Sequence, residues 1–158
     1  MAVQVAVCGP RHCTEQDSAH AYEVGRLLAR AGALVICGGG SGVMAAVAAG
    51  AHAENGLVIG IRPGENPDDA CPNLSAVIAT NLGEARNAVI VWSADAVIAI
   101  GGSWGTLSEI ALAKRRGTIP VITLGGWTIL DHHGNPLPDP PTPADSPRHA
   151  VGLATYRK

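Results

Sequence analysis

Ile98-Ala99-Ile100-Gly101-Gly102-Ser103-Trp104-Gly105-Thr106-Leu107-Ser108-Glu109 is the stretch whose reading decides the fold. An apolar run ends in glycines, and the glycines pass into a helical pattern. Strand, glycine turn and helix form the unit from which parallel sheets are wound. Glycines let main-chain N–H groups close around an anion, and a helix N-terminus adds partial positive charge there. Thr106 adds a hydroxyl on the first turn, and Glu109 lies on the same helix face. A carboxylate beside an anion site has two readings. It works on a sugar next to the phosphate, or it caps first-turn amides.

Working outward, the unit repeats. Apolar runs at 3–7, 33–37, 57–61, 74–79, 96–100 and 119–124 read as strands. Helical spacing falls between them. One helix starts at a cap, Thr14 or Asp17, and stops at Gly32. Others span 43–51, 84–94 and 104–116, the last closing on Lys114-Arg115-Arg116-Gly117, cations followed by a glycine stop. Residues 62–73 are loop, dense in Pro, Gly, Asn and Asp. Right-handed crossovers turn this alternation into one α/β domain with a doubly wound parallel sheet, residues 1–158, with its core at 3–125. The segment 127–147 is Pro-rich, a small hairpin or flap followed by a connector. Ser146-Pro147 opens a short C-terminal helix at 147–156. Ligands of such sheets bind beyond the carboxyl ends of the strands, at the switch point. Three turns at that edge carry glycine: Gly9, the run at 38–42 and the run at 101–105.

Composition agrees. The 158 residues are 47% hydrophobic and 15% charged, rich in Ala, Val, Ile and Leu, with no Phe. Small and β-branched residues suit a parallel sheet under closely packed helices. A net charge of −2 without a basic block argues against a nucleic-acid partner. No apolar run reaches the roughly 18 residues of a membrane span, and the start lacks the basic region of a secretion signal, so a cytoplasmic protein is expected. Cys8, Cys13, Cys37 and Cys71 form no C-x-x-C pair and read as buried free thiols.

Several motifs bear on chemistry. Gly38-Gly39-Gly40-Ser41-Gly42 opens a helix, and Gly40-Ser41-Gly42-Val43-Met44-Ala45 matches the dinucleotide fingerprint, although not on the first strand. Arg62 stands near where that fingerprint wants an acid, which keeps an NADP reading open. Close helix–sheet packing explains part of the glycine run. Arg86 opens the helix after the fourth strand, where it can reach a phosphate or sugar. Trp104 either stacks on a ligand or covers the helix start. His132-His133 lack partner ligands at a metal spacing, and no metal site is expected. Neither a G-x-x-x-x-G-K-[ST] loop nor a G-x-S-x-G elbow is present. The glycines Gly9, Gly39, Gly40, Gly42, Gly102 and Gly105, with Ser103, Trp104 and Thr106, are the candidate phosphate- and nucleotide-binding set.

The residues at 38–44, Arg86 and those at 102–109 together resemble the Lonely Guy (LOG) superfamily, long mislabelled as lysine decarboxylases, over roughly residues 3–125. The resemblance implies a Rossmann-like nucleotide-binding fold. Its best-known members are phosphoribohydrolases that cleave the bond between a base and ribose 5′-monophosphate, with signatures P-G-G-x-G-T-x-x-E and R-K-x-x-M. Here Gly101 stands for the proline, Ser103 for the second glycine, Asn87 for the lysine and Ile90 for the methionine. The catalytic pair carried over is Arg86 and Glu109. Residues 102–106 would hold the 5′-phosphate of an AMP-like ligand. The variant signature is similar to that of the subgroup holding molybdenum-cofactor carrier proteins. Two functions follow from the resemblance: a phosphoribohydrolase, or a non-catalytic carrier of a nucleotide or the molybdenum cofactor, a pterin phosphate. Neither requires a further cofactor. The family's habit of pairing through helices implies a homodimer or higher homo-oligomer. Decarboxylation is not expected, because the only two lysines, Lys114 and Lys158, are not placed to hold pyridoxal phosphate.

Overall fold

The computed structural model describes residues 1–157. Its strands are β1 (Gln4–Cys8), β2 (Leu34–Cys37), β3 (Val58–Arg62), β4 (Ala76–Ala79), β5 (Ala96–Ile100), β6 (Val121–Leu124) and β7 (Thr142–Pro143). Its helices are α1 (Glu15–Arg30), α2 (Val43–Ala53), α3 (Arg86–Trp92), α4 (Trp104–Arg116) and α5 (Pro147–Thr155). The strands form one seven-stranded sheet in the order β4-β3-β2-β1-β5-β6-β7, every pairing parallel. The chain winds outward from β1 to β4, then restarts at β5 on the other side of β1. Val5 pairs with Ala96 and Cys8 with Ala99. The switch point therefore lies between β1 and β5, beside residues 98–109.

Alternation along β1 shows how the layers form. Val5 and Val7 pack in one cluster with α1, α2 and α5, whereas Ala6 and Cys8 join a second cluster with Ile90 and Val91 of α3 and Ala113 of α4. The result is three layers, a helical layer on each face of the sheet. Fully buried residues such as Leu28, Ile98 and Ile122 each contribute about 1.5–3 kcal/mol by leaving water. Between α1 and α2 a side chain on Gly25 would collide with the Val47 carbonyl, and one on Gly50 with the Tyr22 carbonyl. These glycines allow the two helices to touch backbone to backbone.

Local signals set the ends. Thr14 caps α1 and Asp17 closes the capping box, so both candidate caps are used. Gly117, at φ 74°, ends α4. Ser146 caps α5 and Pro147 is its first residue. The departures from expectation also have physical causes. β4 starts at Ala76 because Leu74 turns inward over Gly60, where a Cβ would lie 2.7 Å from Leu74 Cδ1. The third helix begins as a 3-10 turn, Gly83–Ala85, before α3. The Pro-rich segment holds an antiparallel bridge, Leu130 to Pro136, and then supplies β7, a seventh strand. Among the described residues no helix is long and apolar enough to cross a membrane. All four cysteines are free, Cys8 and Cys37 buried, Cys13 and Cys71 half-buried.

Candidate functional site

A cavity of about 520 Å³ opens at the switch point. Its walls come from the loop after β1 (Gly9, Pro10, Arg11, His12), from Met44 of α2 and Pro63 after β3, from Gly83, Glu84, Arg86 and Asn87, and from the α4 turn (Gly102, Ser103, Gly105, Thr106, Glu109). Its size is within the range of small-molecule sites. Gly9 is needed for closure, since a Cβ there would lie 2.6 Å from the Ile100 carbonyl oxygen and against Val43.

The α4 turn is built around its own cap. Ser103 Oγ accepts from the Thr106 amide at 3.2 Å and lies 2.9 Å from Thr106 Oγ1. Thr106 is buried, so its hydroxyl holds the cap together. Gly105 keeps open space where a side chain would stand. Trp104 is exposed and meets Trp127 edge to face at 5.1 Å. It lines neither cavity, and it is Trp127 that lies against Gly102.

Arg86 is mounted on three sides. Its Nη1 donates to the carbonyls of Ile61 (2.6 Å) and Gly38 (2.8 Å), and its Nε donates to Asn87 Oδ1 (2.9 Å). Burial holds its pKa below the ordinary guanidinium value, and the charge of Glu109 offsets that in part. Glu109 and Arg86 share the cavity, yet among the described residues Glu109 is not one of Arg86's hydrogen-bonding partners. Protein atoms crowd the Glu109 carboxyl, although the residue keeps some solvent access. Burial raises its pKa to about 7, against weaker opposite pulls from the Cys8 thiol and from Arg86. Cys8 is pushed well above the ordinary thiol value, by burial first and then by the Glu109 charge. The site thus offers amides and a guanidinium to an anion, beside a carboxyl that exchanges its proton near neutrality.

The turn at 38–42 is placed differently. Gly38, Gly39 and Gly40 are buried, and neither Gly39, Gly40 nor Gly42 lines the cavity. The Gly38 carbonyl accepts from Arg62 at 3.2 Å as well as from Arg86, and the Gly39 carbonyl accepts from the Cys71 amide at 2.8 Å. Arg62, the residue that kept the NADP reading open, is only 5% exposed and is bound to Asp69 at 2.9 Å. Its charge is already paired. His132 and His133 sit exposed in the hairpin of the Pro-rich segment. Among the described residues no group of three or more His, Cys, Asp or Glu side chains could hold a metal. A second cavity of about 400 Å³ lies on the other side of the α4 turn, under the Pro-rich segment, with Lys114 and Asp139 paired at 2.7 Å on its wall.

Sequence reasoning missed Pro10, Arg11, His12, Glu84 and Asn87 as cavity residues, and Cys8 as the neighbour of Glu109. The signal for the first three was their place directly after the strand that carries Gly9.

A doubly wound parallel sheet with a cavity at its switch point defines a Rossmann-like α/β fold. This chain belongs to the SLOG cluster4 family, whose model matches residues 2–139. It is 45% identical over 116 residues to an uncharacterized protein of Archaeoglobus fulgidus, covering 73% of this chain and 76% of that one. It is similar in structure to the molybdenum cofactor binding protein of the phototrophic bacterium Rippkaea orientalis, with a TM-score of 0.86, 35% identity, and coverage of 97% of this chain and 95% of that one. It is also similar to the molybdenum cofactor carrier protein of Chlamydomonas reinhardtii, with a TM-score of 0.82, 30% identity, and coverage of 96% and 95%. The motif resemblance at 38–44, 86 and 102–109 pointed to this same group.

Proposed function

We propose that this protein binds and carries a phosphate-bearing small molecule in the cavity between β1 and β5, and that the favoured cargo is the molybdenum cofactor, a pterin phosphate. The observation that carries this reading is the convergence of the α4 N-terminus and the mounted Arg86 on one cavity. Likeness over nearly the full chain to two proteins that bind or carry that cofactor supports the choice of cargo. The residues suit such a ligand. Arg11 and Arg86 supply positive charge, Gly105 leaves room for a phosphate to approach backbone amides, and the volume accommodates a small ring system. Calorimetry with the isolated cofactor and with AMP tests the proposal. Saturable binding of the pterin is expected, weakened on the order of tenfold to a hundredfold in Arg86→Ala by loss of a charge-assisted hydrogen bond. Failure to bind any phosphorylated ligand removes it.

A second reading is favoured by the protonation of Glu109. A carboxyl with a pKa of about 7 beside Arg86 suits a phosphoribohydrolase acting on a nucleoside 5′-monophosphate. The ionised carboxylate would stabilise positive charge developing on the ribose while the bond from C1′ to the base nitrogen breaks. Water then adds at C1′, giving free base and ribose 5-phosphate. Incubation with AMP and N6-substituted AMP, followed by chromatography, distinguishes the two. Free base supports hydrolysis, and none at high enzyme concentration leaves the carrier. Exposed Trp92 and Leu112 on α3 and α4 support self-association, which sedimentation checks.

A further inference from the structure

Asn87 stands where the related catalytic signature has lysine, and the structure gives its amide a use at both ends. It is 8% exposed. Arg86 Nε can only donate, so the amide oxygen of Asn87 must face it, at 2.9 Å. The amide nitrogen then donates to Ser108 Oγ, also at 2.9 Å. Ser108 in turn commits its hydroxyl proton to the Gly105 carbonyl at 2.8 Å, which leaves lone pairs for Asn87. An unbroken chain thus runs from the guanidinium on α3 to the first turn of α4. A carboxylate at position 87 would set oxygen against oxygen at Ser108, and a lysine would offer no acceptor to Arg86.

The guanidinium has one NH2 left. Its Nε is taken by Asn87, and its Nη1 by Gly38 and Ile61. Among the described residues Nη2 has no partner. Arg116 Nε is the one buried side-chain nitrogen or oxygen without a hydrogen bond among the described residues, so Nη2 keeps contact with solvent on a residue that lines the cavity.

We propose that Asn87 is the positioning residue of the anion site: it fixes the orientation of Arg86 and ties it to the α4 turn, so that the free Nη2 and the turn's amides meet a phosphate at one set separation. This rests on the anion-binding reading of the cavity given above. Held in this way, Arg86 need not lose side-chain freedom when the ligand arrives.

The test is a double-mutant cycle read by calorimetry with AMP and with inorganic phosphate, on wild type, Arg86→Ala, Asn87→Leu and the double variant. Asn87→Leu is expected to weaken AMP on the order of tenfold, the loss of about one charge-assisted hydrogen bond. In the Arg86→Ala background it should cost nothing further, because Asn87 acts only through Arg86. A general structural role would give additive losses, and additivity overturns the proposal. Should Asn87→Leu fail to fold, Ser108→Ala removes the far end of the chain and should weaken AMP by a smaller factor, again only where Arg86 is present. Solvent exchange of the Arg86 Nε–H, followed by nitrogen-15 NMR without ligand, is an independent readout. Slow exchange in wild type that becomes fast in Asn87→Leu or Ser108→Ala supports the mount, and equal exchange overturns it. Wild type that binds neither probe counts against the functional reading and this inference together, whereas additive losses or equal exchange count against this inference alone.

Discussion

The turns after β2 and β5 look alike in sequence and do opposite work. Each follows an apolar strand, is dense in glycine and serine, and opens a helix. At the β2 turn the N-terminus of α2 is already closed, because the Val43 amide donates to the Pro10 carbonyl at 3.1 Å. Gly38, Gly39 and Gly40 are buried, and the carbonyls of Gly38 and Gly39 serve Arg62, Arg86 and Cys71. At the β5 turn a serine caps the helix and Gly105 faces open space. The difference is topological. β1 and β2 are followed by helices on the same face, α1 and α2, which pack on each other and leave no gap. β1 and β5 are followed by α1 and α4 on opposite faces, so the loops part and a cavity opens. Glycine content marks both turns, and only sheet order tells which one borders the cavity.

The largest expected effect lies at the β2 turn. Gly42 has φ 68° and ψ −128°, a conformation open to glycine, and a Cβ would fall on the Pro10 and Arg11 carbonyls. Gly42→Ala should cost about 3 kcal/mol or more through strain and overlap combined. Urea unfolding measures it. A loss under about 1 kcal/mol would mean that the turn is looser than a packed anchor can be.

Next comes Glu109. Its pKa rises from 4.5 to about 7 on folding, so the folded protein holds this proton more tightly than the unfolded chain. The associated stability is complete below pH 4.5 and is lost as pH rises through 7. Above that, native protein carries a crowded carboxylate. The shift corresponds to on the order of 3 kcal/mol, reduced to about 2 kcal/mol by the partial solvent access of the side chain. Glu109→Gln should therefore be more stable than wild type by about that much at pH 8 and equal to it near pH 4. A stability gap independent of pH would refute the proton-exchanging carboxyl. The variant should also abolish any free-base release from AMP.

These cases show what was legible in the chain and why. Strand runs of Ala, Val and Ile alternating with helical spacing identified six strands and the doubly wound sheet. β7 escaped because it is two residues long and one is Pro143, which carries no N–H; its bond to β6 comes from the Ala144 amide to Thr123 at 2.8 Å. Residues 98–109 could be read as strand, glycine turn and capped helix because those signals are local. The mount of Arg86 could not, since Gly38 lies 48 residues away and Ile61 25 away. Cys8 read as a buried free thiol, and the sheet brings it beside Glu109. Asn87 read only as a departure from a signature until the structure brought Ser108 to it.

The smallest effect is the sharpest test of the two turns. Gly105 lies in the first turn of α4, and its φ is not among the positive values of the chain. The nearest heavy atom to a new Cβ is Ser103 Oγ at 3.9 Å, so alanine fits without strain. Gly105→Ala should raise stability by about 0.5 kcal/mol, the ordinary gain for replacing glycine in a helix. The same methyl group enters the space through which a phosphate would approach the α4 amides, so affinity for AMP or the pterin should fall. The two signs must oppose. A packed anchor such as Gly42 loses stability when substituted, whereas a ligand seat gains stability and loses affinity. If Gly105→Ala is more stable and binds phosphate as wild type does, the ligand does not sit on this turn. The anion would then have to rest on Arg86 and the loop after β1, and the likeness between the two glycine turns would extend to neither of them touching the ligand.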